Sequence, residues 1–418
     1  MKIIHTADLH LGVRFKNVVP RPATEGFEAV DIRHYVNKRT LENLNKAVEY
    51  ALKKDVDLLI IAGDVFETIE SSLEYHTELA RSLQPLLDKG VNTVIIGGNH
   101  DYIRSPRRKV SLALLEDLKY PNLIFKSKLD IRNLFQGDEP YEVELEGGTV
   151  GLVLMPYFWV FKKEYPKAIR LYVSKMLSRL GNVDYKLLIA HLDVVGAVYR
   201  ESDFIGSFRS IEKVNLSTIY PDRFDYIALG HIHIPQKIAD NIWYSGSLNK
   251  LNFGEYMDKK AFLYIEFRRR PTINPIYVEP VKMNVYSVKL DDVEINWSNL
   301  RSRLEDVLSR GDNLDAVIKL IFKVRSISDY RLILRSYERR IQEILWSHGV
   351  AGYYIKPEYT GVSDMKISLM DLELSRDILI KDALKNYISK LPYNKDFKEE
   401  LYRHALKYLG VEDGEDKA

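Results

Sequence analysis

The 418-residue chain contains no cysteine, and this absence limits both how it can be held together and what it can bind. Disulfide bridges are excluded, and so are structural zinc sites built from thiolates. A metal site in this chain must therefore be assembled from histidine, aspartate, glutamate or asparagine. Nitrogen and oxygen ligands of this kind favour hard or borderline cations such as Mg²⁺ and Mn²⁺.

The sequence also lacks long apolar runs and a strong excess of either charge. No uninterrupted hydrophobic segment is long enough to span a bilayer, and the first residues lead directly into a strand-like segment rather than a signal peptide. We therefore expect a cytoplasmic, intracellular protein without a membrane partner. The formal net charge of +2 leaves a nucleic-acid partner open, because a basic groove can lie within a nearly neutral total.

Apolar periodicity in the first two thirds of the chain predicts an α/β layered fold. Short apolar runs typical of buried strands alternate with amphipathic helices, one of which carries Leu44 and Val48 on its apolar stripe. Such alternation predicts a domain in which helices cover sheets. The predicted strands cover residues 2–7, 56–62, 91–97, 149–154, 184–190 and 225–229.

Composition changes towards the end of this region and predicts three domains. Three prolines in the segment 255–281 interrupt the pattern and place a boundary near residue 280, so the first domain is 1–280. A smaller βαβαβ-like unit follows at 281–365. The remainder, 366–418, is predicted to form two amphipathic helices within 370–410 and a disordered acidic tail.

Five short motifs containing aspartate, asparagine or histidine stand at or just after predicted strands. They are Thr-Ala-Asp8-Leu-His10, Gly-Asp64, Gly-Asn99-His100-Asp101, Ala-His191 and Gly-His231-Ile-His233. Because the carboxyl ends of strands in an open α/β sheet meet at one crevice, we expect these side chains to lie together. In the Asp-x-His and His-x-His pairs, alternate residues of an extended segment would point the same way.

The residue types in these motifs suit a pair of divalent cations that clamp a phosphoryl group. A carboxylate shared between the two ions would hold them close, and Asp64 suits that role. The neighbouring glycines, Gly63, Gly98 and Gly230, would let the backbone approach closely. Any one motif alone is more often structural, but five in succession after apolar strands are not explained by chance.

Complete and in order, the five motifs resemble the pattern of the calcineurin-like metallophosphoesterases. Within that superfamily the chain resembles the Mre-eleven/SbcD family of DNA double-strand-break repair nucleases, through TADLHLG, GDVFE and the run YSGSLNKLNFGE at 244–255. The resemblance covers residues 1–268. It implies a metallophosphoesterase β-sandwich flanked by helices, followed by a smaller α/β capping domain that binds DNA and a C-terminal helix pair.

The resemblance also implies how the motif residues divide between two Mn²⁺ ions per chain, with Mg²⁺ as an alternative. The first ion would be held by Asp8, His10, Asp64 and His233, and the second by Asp64, Asn99, His191 and His231. His100 would be catalytic rather than a ligand, facing the scissile phosphate, and Asp101 is a candidate to orient it. Glu67 stands where many family members have a histidine that is linked to exonuclease action, and we expect it to be an ordinary surface acid.

Two groups of basic residues follow the first and third motifs. The functional interpretation is contact with the DNA phosphate backbone, and a solvated surface run is the equally open alternative. The residues concerned are Arg14, Lys16, Arg104, Arg107, Arg108 and Lys109.

The family resemblance implies a Mn²⁺-dependent nuclease that acts as a 3'-5' exonuclease on duplex ends and an endonuclease on single strands, with little sequence specificity. It further implies a nucleoid-associated homodimer whose C-terminal helices dock on an SMC-like coiled-coil ABC ATPase. Two alternatives stay open. One is a phosphoesterase acting on small phosphodiesters or phosphoproteins, and the other is a non-catalytic scaffold that binds DNA ends.

Overall fold

The computed structural model describes residues 1–69, 71–102, 112, 115, 120–129, 139–159, 162–199, 212–268, 270–360, 388 and 398–402. Its contacts divide the chain into two compact units, residues 1–358 and 359–418. The predicted C-terminal helix pair falls largely outside the described residues. No helix in the described part of the chain is both long enough and apolar enough to cross a membrane.

Two six-stranded mixed sheets form the first layer pair. The first has the strand order β13-β12-β1-β3-β4-β5 and the second β10-β11-β9-β8-β7-β6. The strands of the first sheet are β1 (Lys2–Thr6), β3 (Leu58–Ala62), β4 (Asn92–Ile96), β5 (Leu123–Lys126), β12 (Lys260–Phe267) and β13 (Pro271–Val278). Those of the second are β6 (Tyr141–Leu145), β7 (Gly148–Met155), β8 (Tyr185–His191), β9 (Tyr226–Gly230), β10 (Gln236–Ala239) and β11 (Ile242–Tyr244). All six strands predicted from apolar runs are present.

The two sheets pack face to face, and helices cover their outer faces. Ile60 of β3 and Ile189 of β8 belong to one fully buried cluster between the sheets. Burying one such side chain contributes about 1.5–3 kcal/mol, so this layer is a major source of stability. Outside it, α1 (Ile32–Lys54) and α2 (Leu73–Asp88) cover the first sheet, and α3 (Tyr165–Arg179) covers the second. The predicted helix-flanked β-sandwich is therefore confirmed.

Helix α1 shows how the local sequence sets the element boundaries. The Asp31 side chain accepts a hydrogen bond from His34 N at 3.1 Å and begins the helix. Lys53 and Lys54 occupy its last turn, where positive charge is favoured. Asp55 then adopts a left-handed conformation that ends the helix.

A third, four-stranded sheet has the order β14-β15-β16-β2. Its strands are β14 (Met283–Lys289), β15 (Val317–Val324), β16 (Gly352–Tyr359) and β2 (Val19–Pro20), with helices α4 (Trp297–Leu308) and α5 (Ile327–Ser347) packed on it. The expected βαβαβ order is thus present, and the predicted boundary near 280 lies between β13 and β14. The division at 280 into separate domains stays a prediction.

Strand β2 was not predicted, and it ties the start of the chain to the third sheet. It pairs antiparallel with β16, with Val19 opposite Tyr353. The adjoining Arg21 is 5% exposed. Its guanidinium donates to the Gly349 carbonyl at 2.5 Å and lies over the Phe27 ring at 4.7 Å. The segment that follows the first motif is therefore anchored at both ends.

Candidate metal centre

The five motifs lie together at the carboxyl ends of strands from both large sheets. Strands β1, β3 and β4 run parallel in the first sheet, and β7, β8 and β9 run parallel in the second. Parallel strands end on the same side, so one rim collects the residues that follow them. That rim carries Asp8, His10, Asp64, Asn99, His100, His191, His231 and His233.

The ligand-type side chains form two clusters in which all ligand atoms lie within 4.8 Å of one another. Asp8, His10 and His233 form the first. Asp64, His191 and His231 form the second. The two meet at Asp64, whose Oδ2 lies 3.5 Å from His10 Nε2 and 3.4 Å from His191 Nε2. The geometry thus brings together the groups inferred from the sequence, with Asp64 between them.

The backbone at these positions departs from the expected extended conformation. Asp8, His10, Asp64 and His231 have φ values of 53°, 46°, 48° and 105°. Left-handed backbone is unfavourable for these side chains, and such residues concentrate at functional sites where the surrounding structure holds them. The expectation that Asp8 and His10 converge by alternation along a strand is therefore wrong. Sharp turns after β1 bring them together instead.

Two glycines make this close packing possible. A Cβ at Gly98 would lie 2.1 Å from Asp64 Oδ1, and one at Gly63 would lie 2.2 Å from His191 Nδ1. Gly63 also has a φ of 98°, which side-chain-bearing residues rarely adopt. Asp64 Oδ1 itself accepts a hydrogen bond from His100 N at 2.8 Å. The glycines therefore permit the approach of the second and third motifs.

Three of the imidazoles have their Nδ1 atom hydrogen-bonded to an oxygen outside the cluster. Carboxylate and carbonyl oxygens only accept, so each Nδ1 carries the proton and each Nε2 keeps its lone pair for the cluster. The pairs are His10 Nδ1 with Glu67 Oε2 (2.7 Å), His191 Nδ1 with Ala62 O (2.9 Å) and His233 Nδ1 with Glu255 Oε1 (3.0 Å).

The atoms that converge inside the clusters are acceptors facing acceptors, and this donor set fits divalent cations. Asn99 Oδ1 lies 2.9 Å from His191 Nε2 and 3.1 Å from His231 Nδ1. His10 Nε2 is buried and has no hydrogen-bond partner among the described residues. Lone pairs that face one another without donors between them are stabilised by a shared positive charge. Imidazole nitrogen with carboxylate and amide oxygen suits Mn²⁺ and related borderline metals.

The electrostatics of the clusters agree with this fit. Burial lowers the pKa of His10, but the hydrogen bond and charge of Glu67, with the charges of Asp64 and Asp8, raise it to about 10. Burial likewise lowers the pKa of His191, yet Asp64 and Asp8 raise it to about 9. A pocket that raises the pKa of two buried imidazoles attracts positive charge, as a cation site must.

His100 lies at the edge of the clusters, and its ring packs edge-on against that of His10 at 4.6 Å. Its side chain is 28% exposed, and its Nδ1 donates to the Glu67 carbonyl at 2.9 Å. The suggestion that Asp101 orients His100 is not supported. The Asp101 carboxylate accepts from the backbone amides of Val65, Phe66 and Gly98, each at 3.0 Å, and so fixes the second and third motif loops.

Glu67 is not the ordinary surface acid expected from the sequence. Its side chain is 31% exposed, and one carboxylate oxygen accepts from His10 Nδ1. Charge from His10 and His100, with the hydrogen bond from His10, outweighs burial and lowers the pKa of Glu67. Glu255 is a second carboxylate that the motif analysis missed. The only sequence signal was its place in the run 244–255.

The structure tests the predicted basic contacts only in part. Arg14 and Lys16 are exposed on the segment that follows the first motif. The run after the third motif, Arg104, Arg107, Arg108 and Lys109, lies outside the described residues.

Comparison with known proteins agrees with the site geometry. A family model described as calcineurin-like phosphoesterase matches residues 1–235. The protein named as the SbcD component of the SbcCD nuclease in Staphylococcus epidermidis is 27% identical over 296 residues, covering 68% of this chain and 70% of the relative. Its namesake from Staphylococcus saprophyticus is 28% identical over 321 residues, covering 73% and 75%. The resemblance to the SbcD family inferred from the sequence is confirmed.

A solved structure described as a dimetal phosphatase from Danio rerio aligns with 66% of this chain and 95% of its own, with a TM-score of 0.31 and 11% identity. A likeness of this size supports no further argument.

Proposed function

Because the chain belongs to the calcineurin-like phosphoesterase family, we propose that it is a Mn²⁺-dependent DNA nuclease of double-strand-break repair. The observation that carries the proposal is the convergence of buried lone pairs on both sides of Asp64. The relatives named as nuclease components support DNA as the substrate. Action on duplex ends as a 3'-5' exonuclease and on single strands as an endonuclease belongs to the same proposal.

Two sets of side chains would hold the cations. Asp8, His10, Asp64 and His233 would hold one, and Asp64, Asn99, His191 and His231 the other. When bound, two such ions stabilise charge on phosphoryl oxygens and lower the pKa of water. Mn²⁺ is preferred to Mg²⁺ in this proposal because four of the seven ligands are imidazoles.

His100 would act on the substrate rather than on the cations. Its Nδ1 is committed to the Glu67 carbonyl, which leaves Nε2 as the reactive nitrogen on a partly exposed ring. A protonated Nε2 could donate to the phosphoryl oxygen or to the leaving oxygen as charge develops there. The Glu67 carboxylate, 3.8 Å from Nδ1, would supply the counter-charge.

Substrate binding would rest on phosphate contacts rather than on base reading. Arg14 and Lys16 are exposed beside the first motif and are candidates for such contacts. The third sheet would cap the site and help bind DNA. We further propose that the protein works as a homodimer with an SMC-like coiled-coil ABC ATPase. The basis is that the relatives are named as components of an SbcCD nuclease.

The test is cleavage of end-labelled duplex and single-stranded DNA in Mn²⁺, Mg²⁺ or EDTA. We expect Mn²⁺ to support cleavage and EDTA to abolish it. His100→Ala should lower the rate by roughly 10²–10⁴-fold while Mn²⁺ binding is retained. His348→Ala, an exposed histidine at the end of α5, is the matched control.

Two outcomes would contradict the proposal. Turnover of small phosphodiesters without cleavage of any DNA would favour a small-substrate phosphoesterase. DNA that is bound but uncut in saturating Mn²⁺, with the ATPase partner present, would favour an end-binding scaffold.

A further inference from the structure

A buried ion pair outside the five motifs lies directly behind His233. Glu255, in the short 3-10 turn Phe253–Glu255, and Lys260, the first residue of β12, both have side chains that are 0% exposed. Lys260 Nζ donates to Glu255 Oε2 at 2.6 Å. Removing two charges from water is costly, and an apolar pair of similar volume is often at least as stable. The pair therefore calls for an explanation beyond stability.

Every lone-pair direction of the Glu255 carboxylate is used. Oε1 accepts from His233 Nδ1 at 3.0 Å and from Asn252 Nδ2 at 2.9 Å. Oε2 accepts from Lys260 Nζ and, at 3.2 Å, from Leu251 N. With Lys260 beside it, and despite burial, the pKa of Glu255 falls to about 2. An ionised carboxylate can only accept, so the proton of a neutral His233 ring must reside on Nδ1.

Lys260 also fixes the backbone of the same histidine. Its Nζ donates to the His233 carbonyl at 3.0 Å and to Ser247 Oγ at 2.9 Å. His233 is thus held through its ring by Glu255 and through its main chain by Lys260. Its remaining nitrogen, Nε2, is the one available to the cluster with Asp8 and His10.

We infer that Glu255 is a positioning residue that fixes His233 as the Nδ1–H tautomer with Nε2 presented to the cation pocket, and that Lys260 holds Glu255 in place for this. Hydrogen bonds from outside a metal site set ligand tautomer and orientation in this way. The inference rests on the proposed cation pocket and adds to it two residues that no motif contains.

Glu255→Gln is the sharpest single change because it keeps shape and removes one acceptor. Lys260 Nζ and Leu251 N are donors, so the amide must turn its oxygen towards them and its NH₂ group towards His233 Nδ1. That nitrogen then becomes the acceptor, and the ring proton moves to Nε2, where it blocks coordination. A double variant, Glu255→Met with Lys260→Met, removes the acceptor and both charges while approximately keeping volume, so the fold need not accommodate an unpaired charge.

The experiment has two readouts, neither of which is catalysis. The first is the tautomer of His233, read from ¹⁵N–¹H correlations of histidine-labelled full-length protein in EDTA at a pH where the ring is neutral. His233→Gln assigns the signal, and exposed His348 is the internal reference. The second is Mn²⁺ affinity and stoichiometry by calorimetric titration.

We expect the Nδ1–H tautomer in the unmodified protein and its loss in Glu255→Gln. One of the two Mn²⁺ ions should bind roughly 10–100-fold more weakly in Glu255→Gln and in the double variant. A purely structural ion pair predicts otherwise: the double variant would bind Mn²⁺ with unchanged affinity, and that result would overturn the inference. An Nε2–H tautomer in the unmodified protein would also overturn it. Because no DNA is present, absence of nuclease activity would refute the proposed function without affecting these readouts.

Discussion

A histidine buried between the two large sheets should make the fold sensitive to acid. His5 lies in β1 and is 0% exposed. Its Nδ1 is hydrogen-bonded to the Tyr226 hydroxyl at 2.8 Å. Burial lowers the pKa of His5 from 6.5 to about 3, because an imidazolium here would lose its hydration. The proposed change is His5→Gln, which removes the titrating ring and keeps a side chain that can hydrogen-bond to Tyr226.

The size of the effect follows from the two pKa values. Between pH 3 and 6.5 the unfolded chain binds a proton at this residue and the folded chain does not, so stability falls as the pH is lowered. The contribution is intact above the unfolded value of 6.5 and is lost progressively as the pH falls towards 3. One pKa unit corresponds to about 1.36 kcal/mol, so at about pH 5 the loss is about 2 kcal/mol.

The assay is urea unfolding followed by tryptophan fluorescence, in EDTA, at about pH 7.5 and about pH 5. Other groups titrate in both proteins, so the relevant quantity is the difference between them. The free energy of unfolding of the unmodified protein should fall by about 2 kcal/mol more than that of His5→Gln over this interval. Equal losses in the two proteins would refute the assignment of a buried neutral His5.

Two further changes test the metal centre. Glu67→Ala removes the acceptor for His10 Nδ1, so Mn²⁺ affinity measured by calorimetry should fall roughly 10–100-fold, and an unchanged affinity would contradict the role given to Glu67. Glu25→Ala, an exposed acid, is its control. Gly98→Ala places a Cβ 2.1 Å from Asp64 Oδ1, so urea unfolding should show a loss of about 1–3 kcal/mol, with Mn²⁺ binding impaired as well. Gly26→Ala, where nothing lies within 4 Å, should cost about 1–2 kcal/mol through its positive φ alone and leave Mn²⁺ binding intact. Wild-type metal binding in Gly98→Ala would refute the packing argument.

The sequence was sufficient to predict the site because the motifs follow parallel strands. Their order along the chain and the rule that such strands end at one rim bring His191 and Asp64 together without knowledge of the loops. The apolar runs predicted the strands for the same reason: strands buried on both faces contain few polar residues.

What the sequence did not predict depends on long-range contacts or on backbone geometry. Glu67 and Glu255 are ordinary acids in a linear view, and their bonds to His10 and His233 exist only in the folded chain. The left-handed conformation of Asp8 has no local glycine to announce it. Strand β2 has two residues, too few for any periodicity to be recognised.

The pairing of β2 with the third sheet bears on how such proteins can exchange parts during evolution. The outer strand of that sheet comes from residues 19–20, while its other three strands come from 283–359. Arg21 donates to the Gly349 carbonyl across this junction. A recombinant that inherited only the later segment from a relative would receive a sheet whose edge was shaped for another partner. The two stretches are therefore inherited successfully only together, although more than two hundred and fifty residues of chain separate them.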